Sequence, residues 1–190
     1  SSRGTISRSS EGEDDLSQHD LGTRPALLVL AATFLLVAGA PGDDWTEFRG
    51  PGGTGHSPSR GLPREWSETR NVRWKTAIHG RGWSSPVVRG DDVWLTTATR
   101  DGRELSVIAV DGGTGKVRHD IKLFDVAKPE DTARYNSFAS PTPVAEEGRV
   151  YVHFGSYGTA ALDAKTGRTV WSRRDLPCNH WRGPRASPRV

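Results

Sequence analysis

The sequence predicts an all-β protein, a β-propeller of four-stranded antiparallel blades, and three observations carry that reading. Residues 150–171, VYVHFGSYGTAALDAKTGRTVW, alternate short runs of β-branched and aromatic residues with turns built from Gly, Ser, Thr and Asp. Residues 93–119 repeat that order: Val93 corresponds to Val150 at an offset of 57, and Ala109 to Ala161 at an offset of 52. Each copy follows a Pro-Val step, Pro86-Val87 and Pro143-Val144, which supplies a first strand. An all-β repeat of roughly this length, with a turn after every strand, is the signature of propeller blades.

Composition agrees. Of 190 residues, 34% are hydrophobic and 26% charged, an ordinary globular balance, and the 22 Gly and 12 Pro call for many turns. The net charge of +3 is mild. Basic residues gather only after Arg168, where Arg173, Arg174, Arg182, Arg185 and Arg189 face Asp175 alone. Without an aromatic platform motif this run reads as a solvated strand edge, and nucleic acid is not an expected partner. Cys178 is the single cysteine, which excludes an internal disulfide and a Cys-rich metal site. Flanked by Pro177 and Asn179 it belongs to a loop, as an inert thiol rather than a nucleophile.

Taken in order, residues 1–23 are polar, and the chain contains no Met; they read as a disordered or untranslated leader. Residues 24–40 combine Arg24, an apolar run and Ala38-Gly39-Ala40, the charge, apolar core and small-residue cleavage site of a signal peptide. The apolar run stops short of the roughly 20 residues that span a bilayer, so no permanent span is expected after cleavage. The mature chain, residues 41–190, is expected in the periplasm or outside the cell. Residues 45–55 are Gly-rich but lack the Lys-Ser or Lys-Thr of a phosphate loop, and read as a structural loop. Asn71-Val72-Arg73-Trp74-Lys75-Thr76 reads as a strand suited to completing the last blade of a ring. Residues 82–88 begin the first blade, and Arg89-Gly90-Asp91 is a turn rather than an adhesion ligand. Residues 123–135 are an insertion loop and residues 136–144 begin blade two. There residues 150–154 and 159–163 form a hairpin around the turn at 155–158, and residues 168–171 add a last strand. Ser187-Pro188 opens a third copy, 45 residues after Pro143. Two to three blades cannot close a ring, so the chain is expected to be the N-terminal part of a larger propeller.

The turn Ala161-x-Asp163-x-x-Thr166-Gly167, followed by Trp171, resembles the tryptophan-docking motif of pyrroloquinoline-quinone (PQQ) repeat propellers, in which the Trp packs between blades. Ala109, Asp111, Thr114 and Gly115 match the motif again, with His119 in the place of Trp. Phe48-Arg49-Gly50-Pro51 also resembles the opening of secreted bacterial PQQ-like proteins. The resemblance implies seven or eight blades when complete. One branch of the family is PQQ-dependent dehydrogenases of alcohols or sugars, which use PQQ, calcium, an Asp base and a vicinal Cys pair. No Cys pair and no matching Asp is present here, so no catalytic residue is assigned, and PQQ and calcium enter only under that alternative. His79, His153 and His180 lack metal-ligand spacing, and no metal site is expected. A second branch is an outer-membrane assembly subunit, a propeller without PQQ that works as a protein-binding scaffold. The expected function is accordingly a non-catalytic binding or scaffold module of the cell envelope.

First strands of a propeller lie nearest its central channel. The segments leading into them, Trp83, Ser84 and Ser85, then Asn136, Ser137 and Phe138, then His180, Trp181 and Arg182, are therefore expected to meet at one mouth. Their aromatic faces, hydroxyls, amide and guanidinium suit a cell-envelope protein or a polar small ligand.

Overall fold

The computed structural model describes residues 44–176, 178 and 182–189; the expected leader and signal peptide, His180 and Trp181 lie outside the described residues. Eight strands form two antiparallel sheets, each in chain order. The first holds β1 (Val87–Arg89), β2 (Asp92–Ala98), β3 (Glu104–Asp111) and β4 (Val117–Asp125). The second holds β5 (Val144–Glu146), β6 (Arg149–His153), β7 (Thr159–Asp163) and β8 (Thr169–Arg173). These are the two expected four-stranded blades. Two details differ from the sequence reading: β4 runs on to Asp125, so the inserted loop starts after it, and the hairpin turn between β6 and β7 contains a short 3-10 turn, Gly155–Tyr157.

Apolar side chains of both sheets make one core. Val87, Trp94, Leu105 and Val107 meet Val150, Val152, Phe154 and Leu162, all essentially without exposure. Burying each contributes roughly 1.5–3 kcal/mol. Phe124 of β4 meets Phe154 edge-on, with ring centroids 6.1 Å apart. The first strands β1 and β5 lie against one another, and residues 45 and 46, far upstream in the chain, bond to both. Trp45 and Val88 exchange two backbone bonds of 2.8 Å, and the Ala145 N–H donates to the Thr46 carbonyl at 2.9 Å.

The two repeat turns are built alike. Asp111 Oδ1 accepts from the Thr114 N–H and hydroxyl at 2.7 and 2.8 Å; Asp163 Oδ1 does the same with Thr166 at 2.8 Å twice. Gly115 and Gly167 close the turns onto the carbonyls of Asp111 and Asp163. The motif alanines have a packing reason. Ala109 stands opposite both Trp94 and His119, and Ala161 opposite both Tyr151 and Trp171. A methyl group on the middle strand leaves room for the flanking rings to meet: Trp94 and His119 stack at 5.8 Å, and Tyr151 and Trp171 lie 6.3 Å apart.

The expected strand at residues 71–76 does not form. This segment has no ladder partner and begins at Asn71 with φ 59, outside the extended region; its bonds to the first sheet are made by side chains and go to a turn. Trp74 Nε1 donates to the Gly112 carbonyl at 2.8 Å, and the Thr76 hydroxyl donates to the Gly115 carbonyl. The Trp74 ring lies so close over Gly115 that a Cβ there would stand 2.7 Å from it.

A second link between the repeats lies at the residues before the first strands. The Ser85 N–H donates to Thr142 Oγ1 at 3.1 Å, and the Thr142 N–H donates to Ser187 Oγ at 2.9 Å. Each of these residues precedes a proline, which disfavours helical backbone there and keeps it extended. The three repeat starts are thereby strung together by hydroxyls.

Candidate functional site

Beside this hydroxyl chain opens a cleft of about 450 Å³. One wall is the loop after Trp45, which supplies Glu47, Phe48 and Arg49. Trp83 stands on the approach to β1, Ser140 and Thr142 on the approach to β5, and Arg185, Ser187 and Arg189 complete the rim.

The loop that carries Phe48 and Arg49 is held in place by its own backbone. The Gly50 N–H donates to the Glu47 carbonyl at 2.9 Å, Gly53 to Gly50 at 2.8 Å, and Gly55 to Arg49 at 2.7 Å. The Trp45 ring closes over Gly50, leaving 2.5 Å for any Cβ, and Trp45 is itself bonded to Val88. Within this clamp Arg49 adopts φ 65, the left-handed region. A non-glycine residue there is strained by about 1–3 kcal/mol.

Phe48 and Trp83 are more than half exposed, at 52% and 55%. The Arg81 guanidinium lies 5.9 Å from the Trp83 ring centroid. Arg189 reaches Glu47 at 4.0 Å. The cleft therefore offers two aromatic faces, hydroxyls and three guanidinium groups against one carboxylate.

Of the residues expected at the channel mouth, Trp83 lines this cleft. Ser84 turns back on β2, its Oγ accepting from the Thr96 N–H at 3.2 Å, and Ser85 belongs to the hydroxyl chain. Asn136, Ser137 and Phe138 are buried elsewhere, near Arg81 and Thr99. Asn136 Nδ2 donates to the Arg182 and Pro184 carbonyls at 2.8 and 3.3 Å, Ser137 Oγ and Ser140 Oγ lie 3.0 Å apart, and Phe138 packs 6.1 Å from Tyr157. Arg182 is exposed, with its carbonyl held by Asn136. Sequence reasoning passed over Phe48, Arg49, Arg185 and Arg189 as site residues. Their signals were the Phe-Arg-Gly-Pro step and the late excess of arginine.

The two motif aspartates serve their turns. The Arg118 guanidinium, with help from Thr114, holds the Asp111 carboxyl down at about 2, and Thr166 lowers Asp163. Arg118 also reaches Asp92 at 2.6 Å. Among the described residues no three His, Cys, Asp or Glu side chains stand together as a metal site, so no step through PQQ or calcium is derived. Among the described residues, too, no helix is long and apolar enough to cross a membrane.

No curated protein matches the chain. Among solved structures, the crystal structure of BamB from Moraxella catarrhalis is similar at 20% identity and a TM-score of 0.37, over 54% of this chain. The chain spans 26% of that protein's length. The PQQ-repeat family described as outer membrane protein assembly factor BamB matches residues 64–174, which takes in both sheets and both Asp-Thr-Gly turns. With that match over more than half its length, the chain belongs to this family of PQQ-like repeat β-propellers.

Proposed function

We propose that the chain is a non-catalytic binding or scaffold module of the cell envelope, exported by residues 24–40 and presenting the cleft at Trp83 to another envelope protein. The observation that carries this reading is the pair of exposed aromatic faces, Phe48 and Trp83, set among hydroxyls and guanidinium groups on a rigid frame. Aromatic residues and arginine with polar neighbours are how interaction sites are commonly composed. The family description, an outer-membrane assembly factor, points the same way.

Three measurements test it. Expression behind the native leader, followed by fractionation, should leave cleaved protein outside the cytoplasm; full-length cytoplasmic product would refute export. Envelope extract passed over the immobilised chain should yield a defined partner whose retention falls with Trp83→Ala, and the chain mixed with PQQ and calcium should not reduce dye with alcohols or sugars. Cofactor-dependent turnover would replace the scaffold reading with that of a quinoprotein oxidoreductase.

A further inference from the structure

We infer that the cleft takes an acidic peptide segment, its carboxylates held by Arg49 and Arg185 and its apolar side chains laid against Trp83 and Phe48. This rests on the scaffold reading and specifies the chemistry of its partner.

The charges in the cleft are unbalanced. Glu47 is the one carboxylate, and it is shared with Arg189 at 4.0 Å. Neither Arg49 nor Arg185 has an ion-pair partner among the described residues. Elsewhere on the two sheets the arginines are paired: Arg89 with Asp44, Arg118 with Asp92 and Asp111, Arg149 with Asp163, Arg173 with Asp175. The guanidinium groups of Arg49 and Arg185 thus face one opening without a carboxylate of their own among the described residues, and bidentate guanidinium donors are matched to carboxylates.

Arg49 adds an independent indication. Its backbone sits at φ 65 in a loop where glycine occupies most of the neighbouring left-handed positions. Glycine at 49 would relieve the strain, yet the sequence places there a long cationic side chain with no structural ion pair. The side chain lies along Gly55 of the same loop, its Nε 3.5 Å from where a Cβ there would stand, and its guanidinium has no carboxylate to meet among the described residues.

The ligand is a peptide rather than a nucleic acid because carboxylates interrupt the basic groups here, Glu47 within the cleft and Asp44 on Arg89 beside it, which leaves a phosphate backbone no continuous track to follow. A peptide in extended form alternates its side chains, so acidic residues can meet the guanidinium groups while apolar neighbours cover the exposed rings.

The test is fluorescence anisotropy on the full chain with a fluorescein-labelled peptide of alternating Glu and Leu, beside its Gln-Leu analogue. Competitors are inorganic phosphate and a single-stranded oligonucleotide. The Glu peptide should bind at least about tenfold more tightly than the analogue, and Arg49→Gly and Arg185→Gln should each weaken it about tenfold. Arg49→Gly should keep or raise the melting temperature, which separates loss of a ligand contact from loss of fold. Equal binding of the Gln analogue, or full affinity in Arg49→Gly, overturns the inference. So does displacement of the peptide by phosphate or oligonucleotide more readily than by unlabelled Glu peptide. If no peptide binds while Trp83-dependent capture of an envelope partner persists, the acidic specificity falls and the scaffold reading stands; if capture fails as well, both fall.

Discussion

His119 on β4 lies over Gly167 in the last turn of the second sheet, with its Nδ1 only 2.9 Å from where a Cβ on that glycine would be. Trp74 stands in the same relation to Gly115, so an aromatic ring from upstream caps the turn glycine of each sheet. The pair predicts strong coupling. Gly167→Ala, which also forces a side chain onto φ 70, should cost about 1–3 kcal/mol. His119→Ala should cost about 1–2 kcal/mol, and the double variant should lose clearly less than the sum, because the small side chain makes room for the new methyl group. Urea denaturation of the four proteins measures the coupling; strict additivity would refute it.

Trp74→Ala should destabilise the fold more than Trp171→Ala. Trp74 is packed on Gly115 and donates a 2.8 Å bond to Gly112, whereas Trp171 is 42% exposed on β8 with Tyr151 as its ring neighbour. The expected losses are about 3 kcal/mol and about 1 kcal/mol. Midpoints read by far-UV circular dichroism should preserve that order.

Stability should fall with acid through the two repeat turns. Both Asp111, at about 2, and Asp163 have carboxyl groups lowered in the folded chain. A lowered group stabilises the fold fully above the unfolded carboxylate value of about 4 and loses that contribution as pH falls through its folded value. The sensitive window for Asp111 therefore runs from about pH 4 down to about 2. Asp111→Asn keeps the Oδ1 acceptor but removes the charge facing Arg118, and should flatten the acid limb of a denaturation-midpoint profile. An unchanged profile would contradict the assignment.

Thr142→Val should cost about 1–2 kcal/mol, since it keeps the side-chain shape but deprives the Ser85 N–H of its acceptor in a part-buried place. Thr142→Ser, which retains the hydroxyl, should recover most of the loss. Thermal melts of the two variants decide the point; equal losses would assign the effect to packing alone.

The blades were legible because their grammar is local. Alternating β-branched residues, Asp-x-x-Thr-Gly turns and Pro-Val starts each act within a few residues, and they returned at matching offsets. The arrangement of rings was half legible: His119 in place of Trp follows from the repeat, but that Trp74 docks instead of joining a ladder depends on a turn 38 residues away. The cleft was least legible. Trp83 drew attention as an aromatic beside a first strand, while Asn136 gave no sign that its amide is consumed in holding the 182–184 segment. Arg49 and Arg185 are far apart in the chain, and only the folding of the leading loop against β1 brings them to one opening.

The hydroxyl chain from Ser85 through Thr142 to Ser187 has a direction. Each backbone donor points to an acceptor carried by the repeat that follows in the chain, so the start of one repeat is anchored by its successor. Removing a later repeat would therefore loosen the start of the one before it, while removing an earlier one would leave its successor's donor satisfied.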